Sequence, residues 1–350
     1  MTAWRKNRDR MNSQKQEPIV AVIMPVYNAA KYLPDVLESI LAQTYQEFEI
    51  VAVNDGSTDE SAAVLARYAA RDARIRVITQ ENAGCGAARN RAIALARGKY
   101  IAQQDADDLS APMRLEKQVA FLDSHPDIAA VYCRIAWADE NLRPSQGVCI
   151  PEDDAAIRRA LPRGNILSNC FMMRAHVLRA ISGYRDAFLC SGDYDLHLRL
   201  IEVGKIWCLP EALYIVRKHA GQISTTQQQQ QDEYGTLAKV FARERKKLGR
   251  DSYDAFASKG GFDAFLKDYA FRYEFNLFVA ARKMRRLDIA DARPYLKRAL
   301  RRKAFPFKAL ALLAASYVPR GLLQAVRSLK NRYLDKPGRA SSTAETRKSV

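Results

Sequence analysis

Three carboxylates fall within four residues of the chain, at Asp105, Asp107 and Asp108, directly after an apolar segment. Like charges this close repel one another and raise each other's pKa unless a cation lies among them. Mg²⁺ and Mn²⁺ prefer oxygen ligands, and Mg²⁺ commonly takes only one or two protein carboxylates together with water and phosphate oxygens. The cluster therefore predicts a divalent-cation site that also holds a phosphorylated ligand. The competing interpretation is a solvated turn that precedes a helix.

Two earlier apolar segments also end in polar residues, at residues 25–28 (PVYN) and 54–57 (NDGS). The ring of Tyr27 could stack on a nucleobase or pack in the core. Asp55 could accept a hydrogen bond from a ligand, or it could form a turn and a helix cap. On these residues alone, both interpretations of Tyr27 remain open, whereas the turn and helix cap are favoured for Asp55.

The segments between these clusters alternate in type. The predicted strands are residues 19–25, 48–53, 75–79 and 99–103, and the predicted helices are residues 31–43, 57–71 and 86–96. Residues 57–60 (STDE) have the spacing of a capping box that opens the second helix. Alternating strands and helices indicate a largely parallel sheet with covered faces. Ligands bind beyond the carboxyl ends of such strands, so we expect the three polar clusters to lie together.

After residue 112 the pattern becomes mixed. Further strands are predicted at residues 129–137, 206–209 and 214–217, and further helices at 175–181 and 193–202. The glutamine tract at 227–231 is either a linker or a helix start, and the chain beyond it has a helical pattern. We therefore predict a flexible basic N-terminus (1–17), an α/β domain (18–226), a basic helical region (227–335) and a disordered tail (336–350).

The net charge of +17 is unevenly distributed. Residues 231–350 hold 28 Lys and Arg against 12 Asp and Glu, whereas residues 21–230 are close to neutral. This asymmetry predicts that the last third meets an anionic surface, either a nucleic acid or a lipid headgroup layer. Residues 304–318 are apolar with one lysine, and 320–334 form a basic amphipathic pattern, which together favour a membrane surface. The alternative is a helical subdomain that packs on the α/β domain.

Several protein classes are disfavoured by composition. The six cysteines are dispersed without a CxxC pair, so we expect free thiols and no zinc site. No segment has the roughly 20 apolar residues of a spanning helix, and the polar start of the chain lacks the apolar core of a secretory signal. The expected location is the cytoplasm, with peripheral attachment to the inner face of the cytoplasmic membrane.

A series of motifs closely resembles the family 2 glycosyltransferases of the GT-A fold. The matching segments are, in order, VIMPVYN, IVAVNDGSTDES, NAGCGAARNRAIALARGKYIAQQDADD, SGYRDAF and GDYDLHLRLIEVGKIWCLPEALYIVRKHAGQIS. They cover residues 18–224. The resemblance implies a Rossmann-like α/β fold with a mixed, mostly parallel sheet, helices on both faces and a C-terminal helical region. It also implies an enzyme of bacterial cell-surface polysaccharide synthesis.

The resemblance implies a role for each residue that matches a family motif. Pro25 and Tyr27 would contact the nucleotide, with Tyr27 near the base. Asp55 would accept a hydrogen bond from the base ring N–H. Arg89 would lie beside the nucleotide, and Asp105 would lie near the ribose and diphosphate.

The metal site and the catalytic base are implied in the same way. Asp107 would ligate Mg²⁺ or Mn²⁺, and His219 would approach the metal or the diphosphate. Asp193 aligns with the carboxylate that deprotonates the acceptor, although Gly192 stands where the family commonly has Glu. A helix N-cap is the competing role for Asp193. Asp195 is expected to be structural.

The implied reaction is the inverting transfer of a sugar from a nucleotide-sugar, a UDP-sugar by resemblance, to a hydroxyl of a lipid-linked or cell-surface glycan. Two alternatives come from other classes. A nucleotidyltransferase would share the metal-binding carboxylates but would not need Asp193. A nucleic-acid-binding protein is suggested by charge alone, and without zinc spacing or an aromatic RNP-like strand we expect no nucleic-acid partner.

Overall fold

The computed structural model describes residues 18–148, 150–259, 264–265, 276–277, 279–280, 284, 289–300 and 307–317. The chain divides into two compact units, Met1–Gly261 and Phe262–Val350. The four-part domain division stays a prediction. Its two terminal segments, 1–17 and 336–350, lie outside the described residues.

The strands described in the first unit form one nine-stranded sheet. They are β1 (Val20–Val26), β2 (Phe48–Asp55), β3 (Ile75–Gln80), β4 (Tyr100–Gln103), β5 (Leu109–Ser110), β6 (Ile128–Ala138), β7 (Pro144–Val148), β8 (Met172–Arg174) and β9 (Lys205–Arg217). Their order is β3-β2-β1-β4-β8-β6-β9-β5, and β7 pairs with β6.

The helices connect and extend this sheet. The first unit contains α1 (Leu33–Leu41), α2 (Ser61–Arg71), α3 (Cys85–Leu95), α4 (Arg114–Ser124), α5 (Asp154–Ala160), α6 (Ala175–Ala180), α7 (Gly192–Val203), α8 (Ile223–Thr226), α9 (Gln228–Leu248) and α10 (Tyr253–Ala257). The second unit contains α11 (Ile289–Leu300) and α12 (Phe307–Ala315). The mixed α/β fold with helices at its C-terminal end was thus predicted correctly, and the glutamine tract is a helix start.

The first four strands to be predicted form the parallel half of the sheet, in the order β3-β2-β1-β4. The apolar, β-branched segment of β1 is buried along its whole length, as expected for a central parallel strand. In this order β2 and β3 extend to one side of β1 and β4 lies on the other. Such a reversal is where open α/β sheets bind ligands, beyond the carboxyl ends of the strands.

The second half of the sheet is mixed. Strand β8 pairs antiparallel with both β4 and β6, while β9 runs parallel to β6 and antiparallel to β5. The prediction of two short strands at 206–209 and 214–217 was wrong, because β9 is continuous. Cys133 faces Leu209 and Arg134 faces Ala212, so a bulge takes up Pro210 and Glu211 and lets the strand continue.

The predicted start of α2 at residue 57 was also wrong, since the helix begins at Ser61 without a side-chain cap bond from residue 60. The Ser57 hydroxyl instead accepts the Asn28 backbone N–H at 3.1 Å. Asp59 Oδ2 accepts the Ala30 backbone N–H at 3.0 Å. The polar residues of this segment therefore tie the end of β2 to the end of β1.

None of the helices within the described residues combines the length and the apolar character needed to cross a bilayer.

Candidate functional site

Asp55 ends β2 and lies buried opposite Gln80 of β3. Its Oδ1 accepts hydrogen bonds from Gln80 Nε2 at 2.8 Å and from the Ala83 backbone N–H at 2.9 Å. Its Oδ2 accepts the Gly84 backbone N–H at 2.9 Å. Because a carboxylate offers about four acceptor positions, one remains for a ligand. Asp55 thus holds the loop before α3, and its contact with a base N–H stays a prediction.

Tyr27 follows the buried Pro25 at the end of β1, and 52% of its surface is exposed. The next residue, Asn28, has a φ of 49°, in the left-handed region. Its Oδ1 accepts the Thr58 backbone N–H at 2.8 Å. The turn is therefore fixed from the side of β2, and the aromatic ring beside it is open to stack on a planar ligand.

Asp105, two residues after β4, is bound by side chains from three parts of the chain. Arg89 Nη2 and Gln103 Nε2 donate to its Oδ1 at 2.7 and 3.0 Å. Asn169 Nδ2 donates to its Oδ2 at 2.8 Å. The Asp105 backbone N–H donates to Tyr214 Oη at 3.0 Å. Two residues assigned separately to the nucleotide, Arg89 and Asp105, are therefore one ion pair.

Asp107 Oδ2 lies 3.0 Å from His219 Nε2, although the two residues are 112 positions apart in sequence. The ring of Tyr32 packs against the His219 ring with centroids 4.6 Å apart. Arg217 Nε donates to the Asp107 carbonyl at 3.1 Å, and Arg217 Nη2 donates to Asp35 at 2.9 Å. The end of β9 thus brings the two predicted metal ligands together, while the Arg217 guanidinium is satisfied within the protein.

The carboxyl groups of this loop are electrostatically unfavourable as anions. Burial raises the pKa of Asp107 above its ordinary value, and the Asp105 charge raises it further, whereas His219 lowers it. The pKa of Asp108 is raised well above its ordinary value by burial and then by the charges of Asp107 and Asp105. A bound cation would relieve this repulsion.

The donor set around Asp107 fits Mg²⁺ or Mn²⁺ bound by few protein ligands. In the part of the chain that the structure describes, no group of three or more His, Cys, Asp or Glu side chains could enclose a metal ion. Asp107 and His219 would supply two ligands, and phosphate oxygens and water the others. This arrangement is how Mg²⁺ usually binds at phosphate sites.

Asp193 is the second residue of α7, and Asn165 Nδ2 donates to its Oδ2 at 2.9 Å. It lies inside the first turn, where the helix dipole favours a carboxylate, rather than at the N-cap position. Asp195 is buried and accepts a hydrogen bond from Arg199 Nε at 2.8 Å. The structural role expected for Asp195 is therefore confirmed by its ion pair, and the role of Asp193 as a base stays a prediction.

Cys85 is the first residue of α3 and follows the loop that Asp55 holds. The pKa of its thiol is raised to about 11, mainly by burial, while the Arg89 charge opposes the shift. The charges of Asp105, Asp193 and Asp55 raise it further. Hydrogen bonds link the same elements: Asp55 of β2 binds the loop before α3, Arg89 of α3 binds Asp105 after β4, and the segment 165–169 binds both Asp105 and Asp193.

Gln103 and Gln104 could not be assigned from the sequence, and the structure gives both a supporting role. Gln103 binds the Asp105 carboxylate. Gln104 Nε2 donates to the carbonyls of Asp105 and Asp108 at 3.2 and 2.8 Å. Its Oε1 accepts from the fully buried Arg114 at 3.0 Å. The two glutamine side chains therefore hold the loop that carries the carboxylates by hydrogen bonds to Asp105 and Asp108.

Sequence reasoning missed Asn165, Asn169 and Gln80, each of which donates to a carboxylate of the site. Gln80 could have been found, because it is the polar residue directly after the predicted strand 75–79. The two asparagines lie four residues apart in the segment NILSN, before a strand too short to be predicted. Nothing local in that segment indicates which carboxylates they reach.

A sequence model of glycosyl transferase family 2 matches residues 21–181. An uncharacterized glycosyltransferase of Rickettsia prowazekii is 31% identical to the chain over 269 residues. That alignment covers 74% of this chain and 81% of the relative.

Two solved structures share the fold at low sequence identity. S. aureus TarS 1–349, crystallised in complex with UDP-GlcNAc, has a TM-score of 0.56 at 19% identity, over 88% of this chain and 91% of that one. The mannosyltransferase PcManGT of Pyrobaculum calidifontis, in complex with GDP-Man and Mn²⁺, has a TM-score of 0.51 at 18% identity, over 95% and 94%. These similarities confirm the predicted GT-A fold.

Proposed function

The chain belongs to glycosyl transferase family 2, and we propose that it transfers a sugar from a nucleotide-sugar to an acceptor hydroxyl with inversion at the anomeric carbon. The observation that carries this proposal is a set of hydrogen bonds that joins the three carboxylates. Asp55 binds the loop before α3, Arg89 of α3 binds Asp105, and Asn169 and Asn165 of one short segment bind Asp105 and Asp193. The proposed site thus has a nucleotide side, formed by Asp55 and Asp105 at the ends of strands. It also has an acceptor side, formed by Asp193 at the start of α7.

The nucleotide side would bind the donor. Tyr27 would stack on the base, with Pro25 beneath it, and Asp55 would accept the base N–H at its remaining acceptor position. The ion pair of Arg89 and Asp105 would lie at the ribose and diphosphate. We propose UDP as the carrier, since the S. aureus neighbour was crystallised with UDP-GlcNAc.

Asp107 and His219 would hold Mg²⁺ or Mn²⁺. When bound, the cation supplies positive charge that offsets the negative charge developing on the departing diphosphate. The protein's own contribution is to keep one carboxylate and one imidazole 3.0 Å apart on two different strand ends. Tyr32 restrains the imidazole ring from its other side.

Asp193 would act as the general base. Its carboxylate takes the proton of the acceptor hydroxyl as the acceptor oxygen forms a bond to the anomeric carbon. The bond from that carbon to the diphosphate oxygen breaks, and its electron pair leaves with the nucleoside diphosphate. Attack opposite the leaving group inverts the configuration, so no covalent enzyme intermediate is required.

The acceptor is proposed to be a lipid-linked or cell-surface glycan, met at the inner face of the cytoplasmic membrane. Support comes from the basic C-terminal third of the chain and from the second unit. In α12 and just after it, Leu310 and Tyr317 are 49% and 62% exposed. Exposed apolar side chains among basic residues suit an anionic lipid interface.

The central experiment is a donor panel. The purified protein is incubated with Mn²⁺ and UDP-, GDP- and dTDP-sugars, and nucleoside diphosphate release is measured. We expect slow release of nucleoside diphosphate from one donor by hydrolysis. Release should become faster when an acceptor extract is added, because sugar transfer then occurs, and EDTA should abolish this increase. Release of pyrophosphate instead would overturn the proposal in favour of nucleotidyl transfer.

Asp193→Asn tests the base. The substitution keeps the shape and the hydrogen bond from Asn165 in reach but cannot take a proton, so we expect turnover to fall by about 10²–10⁴-fold with donor affinity unchanged. NMR of the product of the wild-type protein reports the anomeric configuration. Retained turnover in the variant, or retained configuration in the product, would contradict the mechanism.

Vesicle flotation tests the membrane proposal. The full chain should bind vesicles containing anionic lipid and be released by high salt. Leu310→Glu combined with Tyr317→Glu should weaken binding, because both charges would enter the interface. Leu248→Glu, at an equally exposed leucine of α9, is the matched control. Equal binding by all three proteins would defeat the proposal.

A further inference from the structure

Behind the proposed base lies a chain of two polar side chains, Asn165 and His197. Asn165 Nδ2 donates to Asp193 Oδ2 at 2.9 Å, and Asn165 Oδ1 lies 3.2 Å from His197 Nδ1. His197 is one turn beyond Asp193 on α7 and is fully buried, whereas Asn165 lies in the exposed segment before β8. One amide thus joins a buried ring to the carboxylate at the cleft.

The chemistry of the partners fixes the direction of both hydrogen bonds. An ionised carboxylate only accepts, so the Asn165 Nδ2 donor must face Asp193 and its Oδ1 must face the ring. Since that oxygen also only accepts, His197 Nδ1 must carry the proton. The Asp193 carboxylate therefore determines the tautomer of His197, although the two groups are separated by two hydrogen bonds.

A neutral ring agrees with this assignment. Burial lowers the pKa of His197 to about 4. A neutral imidazole with its proton on Nδ1 leaves Nε2 without one, and Nε2 is a buried atom with no hydrogen-bond partner among the described residues. An unpaired acceptor inside the core is tolerable there, whereas an unpaired charged donor would be far more costly.

The ring cannot turn to another orientation. The rings of Tyr132 and Phe171 lie edge-on to the His197 ring, with centroids 5.4 and 6.4 Å away and interplanar angles of 84° and 88°. Tyr132 lies in β6, and Phe171 directly precedes β8. The core of the sheet therefore holds His197, which in turn holds the exposed amide.

We propose that Asn165 is a positioning residue for the Asp193 base and that His197 fixes the orientation of its amide. This inference rests on the proposed function. The hydrogen bond from Nδ2 favours the ionised carboxylate and occupies Oδ2, so the other oxygen faces the acceptor. In serine hydrolases a buried carboxylate orients the histidine that acts as the base. Here the buried histidine would orient, through Asn165, the carboxylate that acts as the base.

Other titratable groups are influenced by the charge of the Asp193 carboxylate. They lie on α3, on β6, in the segment before α7 and on α7 itself, and each has a pKa that the Asp193 charge raises: Cys85, Tyr132, Tyr184, Cys190 and His197. The cations Arg89 and Arg199 act on His197 in the opposite direction. None of these groups is altered when Asn165 is replaced.

Asn165→Ala is the first test. Loss of the donor should lower kcat by about tenfold, leave the donor KM within about twofold, and move the acidic limb of the kcat/KM–pH profile upward by about 0.5–1 unit. Asn141→Ala, at an exposed asparagine after β6, should leave all three unchanged. An unshifted acidic limb in Asn165→Ala would overturn the inference, since a purely structural role does not move that limb.

His197 is tested by two substitutions and one spectrum. His197→Phe keeps the ring but cannot donate, and should reproduce the Asn165→Ala profile without adding to it in the double variant. His197→Gln can donate to Asn165 and should restore much of the activity. The ¹⁵N spectrum of the wild-type protein should show His197 protonated at Nδ1. Protonation at Nε2 would overturn the assignment even if neither variant folds.

The outcomes separate this inference from the proposed function. If the wild-type protein transfers sugar and Asp193→Asn does not, but Asn165→Ala behaves as wild type, the inference fails and the function stands. If Asp193→Asn retains full turnover, the proposed base itself is wrong.

Discussion

Two groups of carboxylates, one in α7 and one in the loop after β4, meet different partners in the structure. In α7, Asp195 is paired with Arg199 at 2.8 Å, and Arg185 lies 3.5 Å away. In the loop after β4, Asp108 is buried and Asp107 is partly buried beside Asp105, and the pKa of each is raised. Arginine side chains neutralise Asp195 and Asp105, whereas among the described residues no arginine side chain pairs with the carboxylate of Asp107 or Asp108.

The difference separates carboxylates that hold the fold from carboxylates that await a ligand. A buried carboxylate with its own arginine is already satisfied and is suited to joining elements. One crowded by like charges gains from an external cation, which explains why the loop after β4 and not α7 is the proposed metal site. Each prediction below tests one side of this contrast.

The largest effect is expected for Asp195→Ala. Removing the carboxylate leaves Arg199 buried without its charge partner, so the free energy of unfolding should fall by about 3–5 kcal/mol, measured by urea denaturation. Asp127→Ala removes an exposed pair with Lys205, whose side chains are both more than half exposed, and should cost at most about 1 kcal/mol. Equal losses of unfolding free energy would mean that the buried pair of Asp195 contributes no more to stability than an exposed pair. Asp195 would then not qualify as a structural carboxylate.

Asp107→Ala tests the other side. Loss of a metal ligand should lower kcat/KM in saturating Mn²⁺ by about 10²–10³-fold, because charge stabilisation by a cation contributes several kcal/mol. Stability should not fall, since the substitution removes a repelling charge. Mn²⁺ binding, followed by electron paramagnetic resonance, should weaken in parallel. A large loss of stability with intact Mn²⁺ binding would assign Asp107 to the structural group.

His197 makes the stability of the protein depend on pH, because its buried ring on α7 is favourable only while it is uncharged. Its pKa of about 4 in the folded state lies below the ordinary value of 6.5. Between these values the unfolded chain takes up a proton that the folded chain does not, so stability present above pH 6.5 is lost as the pH falls toward 4.

From pH 7 to pH 4.5 this contribution amounts to about 2.5 kcal/mol. Urea denaturation at the two pH values should therefore show a smaller decline for His197→Gln than for the wild-type protein. His125→Gln, at an exposed histidine, is the control. An unchanged decline in His197→Gln would show that the ring is hydrated.

The smallest effect is expected for Asn169→Ala. The Asp105 carboxylate would keep Arg89 and Gln103 and lose one neutral donor, a change of about 1 kcal/mol. We expect the donor KM to rise about fivefold with kcat little changed. A change in kcat alone would place Asn169 on the acceptor side of the cleft instead.

Prediction succeeded best where the signal is local. The parallel strands and their polar ends were found because apolar segments followed by Asp, Asn or Gly carry both the strand and its boundary in adjacent residues. It failed at α2, where Ser57 binds the end of β1 and the helix begins only at Ser61, whose backbone N–H donates to Asp59. It also failed at Pro210, which marks a bulge instead of a strand end. In both cases a distant segment decided the outcome.

The sequence by itself determined which carboxylates lie at strand and helix ends, because hydrophobic patterning places those ends without knowledge of the rest of the chain. Only the tertiary structure decided what each carboxylate meets: Arg89 and Asn169 at Asp105, His219 at Asp107, and Asn165 at Asp193. Those partners come from elements tens of residues away in most cases, and the pKa and availability of a carboxylate depend on its nearest neighbours in space. The division between structural and ligand-binding acids is therefore a property of the fold.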